Sequence, residues 1–297
     1  MLGLELQDAF ALAVSVDTAG AVVARALVDV SSDLTAAARA ALDAVTKGSP
    51  DAAPLGVAST IQDSPALTLV LADLAQRFHG PFVQHGAMPS GTAAAVAEAW
   101  VGAAKDVKDV VFFAVDHRTT GGVIRQGVPL RGSHGLAASV AWLSLNPVER
   151  EDYRKIGCLE AETAAAGIVR RLIWRIKAGD RSRVQDIVGD DFSKVTLAHI
   201  LDAARNNDGV SFSVVRDTAK YLGMAAANLV VVTDPEMLVL GGIMAASADL
   251  FLEPMRAEIS RRLPRAMMDA LSIVPATLGA DAPAIGAARL TTPALQP

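Results

Sequence analysis

Apolar positions come in short alternating or continuous bursts through the first thirty residues and at helical spacing afterwards. Residues 2–6 alternate, 11–16 are apolar and rich in β-formers, and 21–30 follow in the same manner, which predicts three strands. Asp17-Thr18-Ala19-Gly20 stands between the second and third as a hairpin turn, with Gly20 free to take a positive φ. Ser32 or Asp33 is placed to cap a helix over 34–47 that Gly48 and Pro50 end. The pattern then predicts a strand over 54–60, a helix over 67–78, a strand over 81–85, an alanine-rich helix over 92–104 with Ser90 as its N-cap, and a buried strand over 109–115. Gly121-Gly122-Val123-Ile124 opens a second antiparallel stretch that turns at Gln126-Gly127. A long amphipathic helix is predicted over 160–177, with further helices over 195–205 and 211–233. A buried strand over 237–240 ends in Gly241-Gly242, and a helix (249–263), a strand (272–276) and a short helix (282–290) complete the pattern. Hairpins plus βα units in both halves predict two similar α/β lobes with a ligand cleft between them. The smaller lobe is placed at 1–106, completed by 282–297, and the larger at 107–281.

Composition narrows the class. Of the 297 residues 52% are hydrophobic and only 4% aromatic, so the core is made of small side chains and disorder is excluded. The net charge of -5 contains no basic block, which argues against a phosphate-binding surface for DNA or RNA. Cys158 is the one cysteine, so disulfides within the chain and a cysteine-rich metal site are excluded. Residues 1–10 carry Glu5 and Asp8 and no basic run, unlike a signal peptide. The longest apolar stretch, 225–242, is interrupted by Asp234, Pro235 and Glu236 and is not a membrane span. A soluble, cytoplasmic protein without nucleic-acid or membrane partners is expected.

Five segments stand in order: Tyr221-Leu222-Gly223, Ala227-Asn228-Leu229-Val230, Asp234-Pro235-Glu236, Val239-Leu240-Gly241-Gly242 and Ile285-Gly286-Ala287-Ala288. Together with Arg131-Gly132-Ser133-His134-Gly135-Leu136-Ala137, Gly157-Cys158-Leu159-Glu160 and the hairpin start, they resemble the ROK family of repressors, open reading frames and sugar kinases. The resemblance implies a two-lobed actin-like ATPase (ribonuclease H-like) α/β fold, each lobe a mixed sheet with flanking helices. It also implies a nucleotide beside Gly241-Gly242, whose missing Cβ atoms let a backbone approach a ligand.

The same resemblance exposes departures at the positions where the family does its chemistry. The family's first phosphate turn, Asp-x-Gly-Gly-Thr, is matched by Glu5-Leu6-Gln7-Asp8-Ala9. The second, Gly-Thr-Gly-Ile-Gly-Gly-Gly, is matched by Asp116-His117-Arg118-Thr119-Thr120-Gly121-Gly122, where only the last two glycines remain as nucleotide-binding candidates. Ser90 stands where the family has its catalytic aspartate, and Pro89 where it has a sugar-binding asparagine. Ser139 and Trp142 replace the sugar-holding glutamate and histidine. The zinc motif is reduced to Cys158, so no zinc is expected. A sugar-binding turn that the family carries between two strands of the small lobe is missing from 61–80. Glu160 matches a sugar-contacting glutamate and, with His134, is a ligand-binding candidate, although a carboxylate in the first turn of a helix serves the dipole equally well.

Phosphate, base, sugar and metal positions are all altered, so the sequence reads as a ROK-family protein that has lost sugar kinase activity: a pseudokinase that binds an unknown small molecule, regulates or scaffolds. The alternative is an ATP- and Mg-dependent, glucokinase-like sugar kinase using other residues, with Asp116, Asp8 or Asp63 as base. A DNA-binding repressor is disfavoured, because no helix-turn-helix stands before the first strand. Family members are commonly dimers, and a homodimer is expected; residues 168–176, with Trp174, form either that contact or a core face.

Overall fold

The computed structural model describes residues 1–46, 54–62, 64–79 and 86–292; the strand predicted over 81–85 and Asp63 lie outside the described residues. Strands β1 (Leu2–Leu6), β2 (Phe10–Val16) and β3 (Val22–Asp29) form an antiparallel meander. After helix α1 (Leu34–Thr46), strand β4 (Leu55–Ser59) runs parallel to β1. Helix α2 (Pro65–Leu74), strand β5 (Met88–Pro89) and helix α3 (Ser90–Val101) follow. The first sheet has the order β3-β2-β1-β4-β5.

Strands β6 (Val110–Val115), β7 (Thr119–Arg125) and β8 (Val128–Pro129) precede six helices: α4 (Glu151–Ile156), α5 (Cys158–Thr163), α6 (Ala165–Lys177), α7 (Arg183–Val188), α8 (Leu197–Arg205) and α9 (Gly209–Thr233). Strand β9 (Met237–Gly242), helices α10 (Ile243–Ala246), α11 (Ala248–Ser260) and α12 (Arg265–Ala270), strand β10 (Ser272–Pro275) and helix α13 (Ala282–Arg289) complete the described chain. The second sheet has the order β10-β9-β6-β7-β8, with β9 and β10 parallel.

The chain divides into two compact units, one of residues 1–112, 120–138 and 276–297, the other of 113–119 and 139–275. The first unit takes in 107–112, 120–138 and 276–281. Glycine packing is the physical reason for the 120–138 segment: a Cβ on Gly91 of α3 would stand 2.4 Å from the Gly121 nitrogen, and one on Gly122 2.3 Å from the Gly91 oxygen. The core of this unit gathers Leu4, Leu6, Leu42, Leu55, Val57, Val70 and Leu74, all fully buried. Each such side chain contributes about 1.5–3 kcal/mol relative to exposure. Helix α13 lies directly on the sheet, because Gly3 of β1 and Gly56 of β4 present bare backbone to it; a Cβ there would stand 1.9 Å from Ala284 O and 1.8 Å from Ala287 O.

Two local expectations are corrected, and two short helices are added. The helix predicted over 160–177 is two helices, α5 and α6, broken at Ala164, whose ψ of 161° is extended. The Ala165 N–H there donates to Asp116 O at 2.9 Å instead of continuing the helix. Ser90 is not an N-cap: Pro89 holds that position and Ser90 is the first helical residue, with no capping bond from its side chain. The short helices α4 and α7 were not foreseen, since six residues are too few for a periodic signal. At the start of the chain, by contrast, Gly20 does take a positive φ of 87° in the turn between β2 and β3.

Candidate functional site

In the first unit, β1, β4 and β5 are parallel, and their carboxyl edges end side by side, the position where open α/β sheets hold ligands. Ser59 of β4 pairs with Pro89 of β5, so Thr60 and Ser90 each directly follow a paired position on adjacent strands. Thr60 Oγ1 and Ser90 Oγ are both buried and have no hydrogen-bond partner among the described residues. Ser90 is 2% exposed and opens the 12-residue helix α3. Ser59 Oγ, in contrast, is fully engaged by Leu6 O and by the Ile61 backbone. On β1, Glu5 is buried and accepts Gln7 Nε2 at 2.9 Å, while Gln7 N–H closes a tight turn on Phe10 O at 2.9 Å. The stretch that matches the family's first phosphate turn is therefore the corner of a hairpin, with Asp8 exposed at its tip.

In the second unit the turn Asp116-His117-Arg118-Thr119 is closed by Asp116 N–H on Arg118 O at 2.9 Å. Glu160, 5% exposed in the first turn of α5, accepts the Thr119 N–H at 2.8 Å and Arg118 Nη1 at 3.0 Å. The predicted ligand-binding glutamate thus holds its own turn in place. Asp116 accepts the Ile243 N–H at the start of α10. Gly242 has a φ of +61°, and a Cβ on it would stand 2.1 Å from Val115 O and 2.8 Å from Asp116 Oδ2. Only glycine suits that corner. Burial, opposed by His117 and the Ile243 N–H, pushes the Asp116 carboxyl up to about 6. Asp116 as a residue keeps an exposed face, so water screens part of that effect. A carboxylate displaced toward neutral pH beside a glycine corner has the character of a general base.

The remaining candidates are spread out. Gly121 and Gly122 are buried on β7, where the missing Cβ atoms of Gly122 and of Gly91 on α3 let the two backbones pack together; Gly241 is buried beside Gly242 at the end of β9. His134 is exposed in the 131–135 loop, and Trp142 is 55% exposed. Zinc does not fit the donors present. Cys158 is buried against Tyr153 and Ala161, and the described residues contain no group of three His, Cys, Asp or Glu side chains able to hold a metal ion. An ionic network occupies this region instead. The buried Glu162 carboxylate accepts Tyr153 Oη, Arg150 Nη1 at 3.3 Å and Arg171 Nη2 at 2.9 Å, which joins α4, α5 and α6. Ile168, Leu172 and Ile176 of α6 are buried, so that face belongs to the core, while Trp174 is exposed between Arg150 and Arg170. Thr60 was missed from the sequence because a lone threonine past a strand end carries no motif. No described helix is long and apolar enough to cross a membrane.

Comparison with known proteins gives this geometry its relatives. A glucokinase of Halalkalibacterium halodurans is 31% identical over 196 residues, 65% of this chain and 59% of that protein. A xylose repressor of Caldicellulosiruptor bescii is 29% identical over 176 residues, 57% of this chain and 42% of the repressor. The matches therefore span only about half the length of these relatives. The structure of a ROK family glucokinase from Streptomyces griseus, in complex with glucose and AMPPNP, superposes with a TM-score of 0.80 at 22% identity, covering 98% of each chain. The fold, two mixed sheets flanked by helices, is that of the actin-like ATPases, as the resemblance implied. A model of the ROK family matches residues 59–293, and a match over that much of its length means that the chain belongs to the ROK family.

Proposed function

We propose that this ROK-family protein binds a small polar ligand at the carboxyl edge of β1, β4 and β5 without phosphorylating it, in a regulatory or scaffolding role. The buried hydroxyl of Ser90, without a partner among the described residues, carries this reading. It stands where the family places its catalytic aspartate, and a serine hydroxyl takes no proton near neutral pH, whereas a general base is worth about 10²–10⁴-fold. Buried hydroxyls ordinarily have partners, so Ser90 Oγ and Thr60 Oγ1 are suited to the hydroxyl or carbonyl groups of a ligand. The closed Glu5–Gln7 corner, and the lack of a fitting zinc donor set among the described residues, support the same reading. We further propose a cytoplasmic homodimer with no nucleic-acid or membrane partner, and functional lobes at 1–106 with 282–297 and at 107–281. The net charge of -5 and the dimers common in the resembling family support the first of these.

A second reading, an ATP- and Mg-dependent sugar kinase, is favoured by Asp116 beside the Gly242 corner and by the glucokinases among the relatives. The test is calorimetric titration of ATP with Mg²⁺, followed by a phosphotransfer assay across common sugars. Neither binding nor transfer is expected. Transfer that Asp116→Asn abolishes would establish the second reading and remove the first.

A further inference from the structure

Strand β3 is the outer strand of the first sheet, and among the described residues nothing pairs with its far side. Ala24, Ala26 and Val28 turn inward and pack on the core. Val23, Arg25, Leu27 and Asp29 turn outward, with Val23 70% and Leu27 46% exposed. The backbone follows the same alternation. Val30 N–H donates to Ala9 O at 2.8 Å, and the β2–β3 register continues that pair through Val28, Ala26 and Ala24. In an antiparallel ladder the intervening residues point their N–H and C=O groups the other way. Val23, Arg25, Leu27 and Asp29 therefore present unpaired backbone groups along the open edge.

An open edge strand with exposed valine and leucine is a template for another strand, and proteins that keep such an edge single usually blunt it with proline, bulges or inward charges. Within β3 there is no proline, and its only irregularity lies at its start, opposite Ser15 and Val16. What the edge does carry is one cation and one anion, placed symmetrically two residues either side of Leu27.

We propose that β3 pairs with β3 of a second copy of this chain, antiparallel about a twofold axis at Leu27, to make one continuous sheet across a dimer. The charges select the register. With Leu27 opposite the second copy's Leu27, Arg25 faces Asp29 on both sides of the axis. A shift of one ladder step breaks both charge pairs, setting the charges against Leu27 and Val23 in one direction and against Ser31 and Leu27 in the other, and a shift of two steps sets Arg25 against Arg25 or Asp29 against Asp29. An isologous interface with a self-complementary charge pair closes as a dimer and does not propagate. Arg25 also donates its Nε to Asp281 at 2.8 Å, which steadies the side chain and keeps both Nη atoms for the facing carboxylate. This inference rests on the homodimer proposed above and locates its contact.

Sedimentation equilibrium of the purified chain at tens of micromolar tests it. The wild type is expected at twice the monomer mass. Asp29→Arg, which sets two like-charge contacts across the axis, is expected to weaken association at least about tenfold, and the double variant Arg25→Asp/Asp29→Arg to restore it. Leu27→Pro removes a donor that faces only the partner and is expected to give a monomer with an unchanged circular dichroism spectrum. A wild-type monomer overturns both the inference and the homodimer. A dimer that Asp29→Arg leaves at wild-type affinity retains the homodimer and overturns the pairing through β3, as does failure of the folded double variant to recover it.

Discussion

Glu160 accepts the backbone N–H of Thr119 at 2.8 Å, so a helix carboxylate fixes the turn that leads into β7. With Arg118 on its other oxygen, the glutamate is satisfied without a ligand. Glu160→Ala is expected to lower the unfolding free energy by about 2–3 kcal/mol, because a buried charge-assisted bond is lost and the Thr119 N–H is orphaned. Glu160→Gln, which keeps one acceptor, should lose about half of that. Urea denaturation of the two variants checks this; equal midpoints for wild type and Glu160→Ala would mean that the turn holds without its carboxylate.

The corner at Gly242 leaves no room for a side chain. Gly242→Ala forces a Cβ into Val115 O at a φ of +61° and is expected to cost about 3 kcal/mol or more. Gly127→Ala provides the control, since its φ of +80° lies in open space, and it should cost about 1 kcal/mol. Comparable losses in the two variants, measured by thermal unfolding, would contradict the packing at Gly242.

Asp116 links stability to pH. Its carboxyl rises from 3.8 to about 6 on folding, so the folded chain holds that proton more tightly than the unfolded one. Its contribution to stability is fully present below pH 3.8, falls as pH climbs toward 6, and stays lost above that. A full shift at 1.36 kcal/mol per pH unit is reduced by water on the exposed face to about 1 kcal/mol. Asp116→Asn should therefore gain on wild type by about that amount between pH 4 and pH 7. A pH-independent gap between the two proteins in urea midpoints would refute the assignment.

Ser90 separates stability from binding. Replacing an unpartnered buried hydroxyl by a methyl group is close to neutral or slightly stabilising, so Ser90→Ala should fold at least as well as wild type. It should at the same time weaken any ligand found for the first unit by about 0.5–1.5 kcal/mol, one hydrogen bond. A loss of more than about 1 kcal/mol in unfolding free energy would show that the hydroxyl already has a partner, which the proposed site cannot accommodate.

What could be read from the sequence was set by local chemistry. The β1–β3 meander was legible because alternation and Gly20 act within a few residues, and the family was legible because its short segments from Tyr221 to Ala288 persist in order. The break at Ala164 was not, since nothing in an alanine run announces that Ala165 will donate to Asp116, 49 residues away in sequence. Ser90 has the right chemistry for a cap, but Pro89, paired to Ser59 as the end of β5, takes the position first. The Glu162 network was hidden for a similar reason: Tyr153, Arg150 and Arg171 converge only after three helices have folded.

Helix α13 covers β1 and β4 through bare backbone at Gly3 and Gly56, which gives the fold of the first unit a timetable. The strands that need this cover are made well before the helix that supplies it. At ~5–20 residues per second a ribosome takes on the order of tens of seconds to cross the ~280 residues between them. Until then one face of the opening sheet stays wet or is shielded by something other than its own chain. The unit that opens with β1 is thus completed only after residues 139–275 of the other unit have been made, an inversion of the usual order in which domains mature.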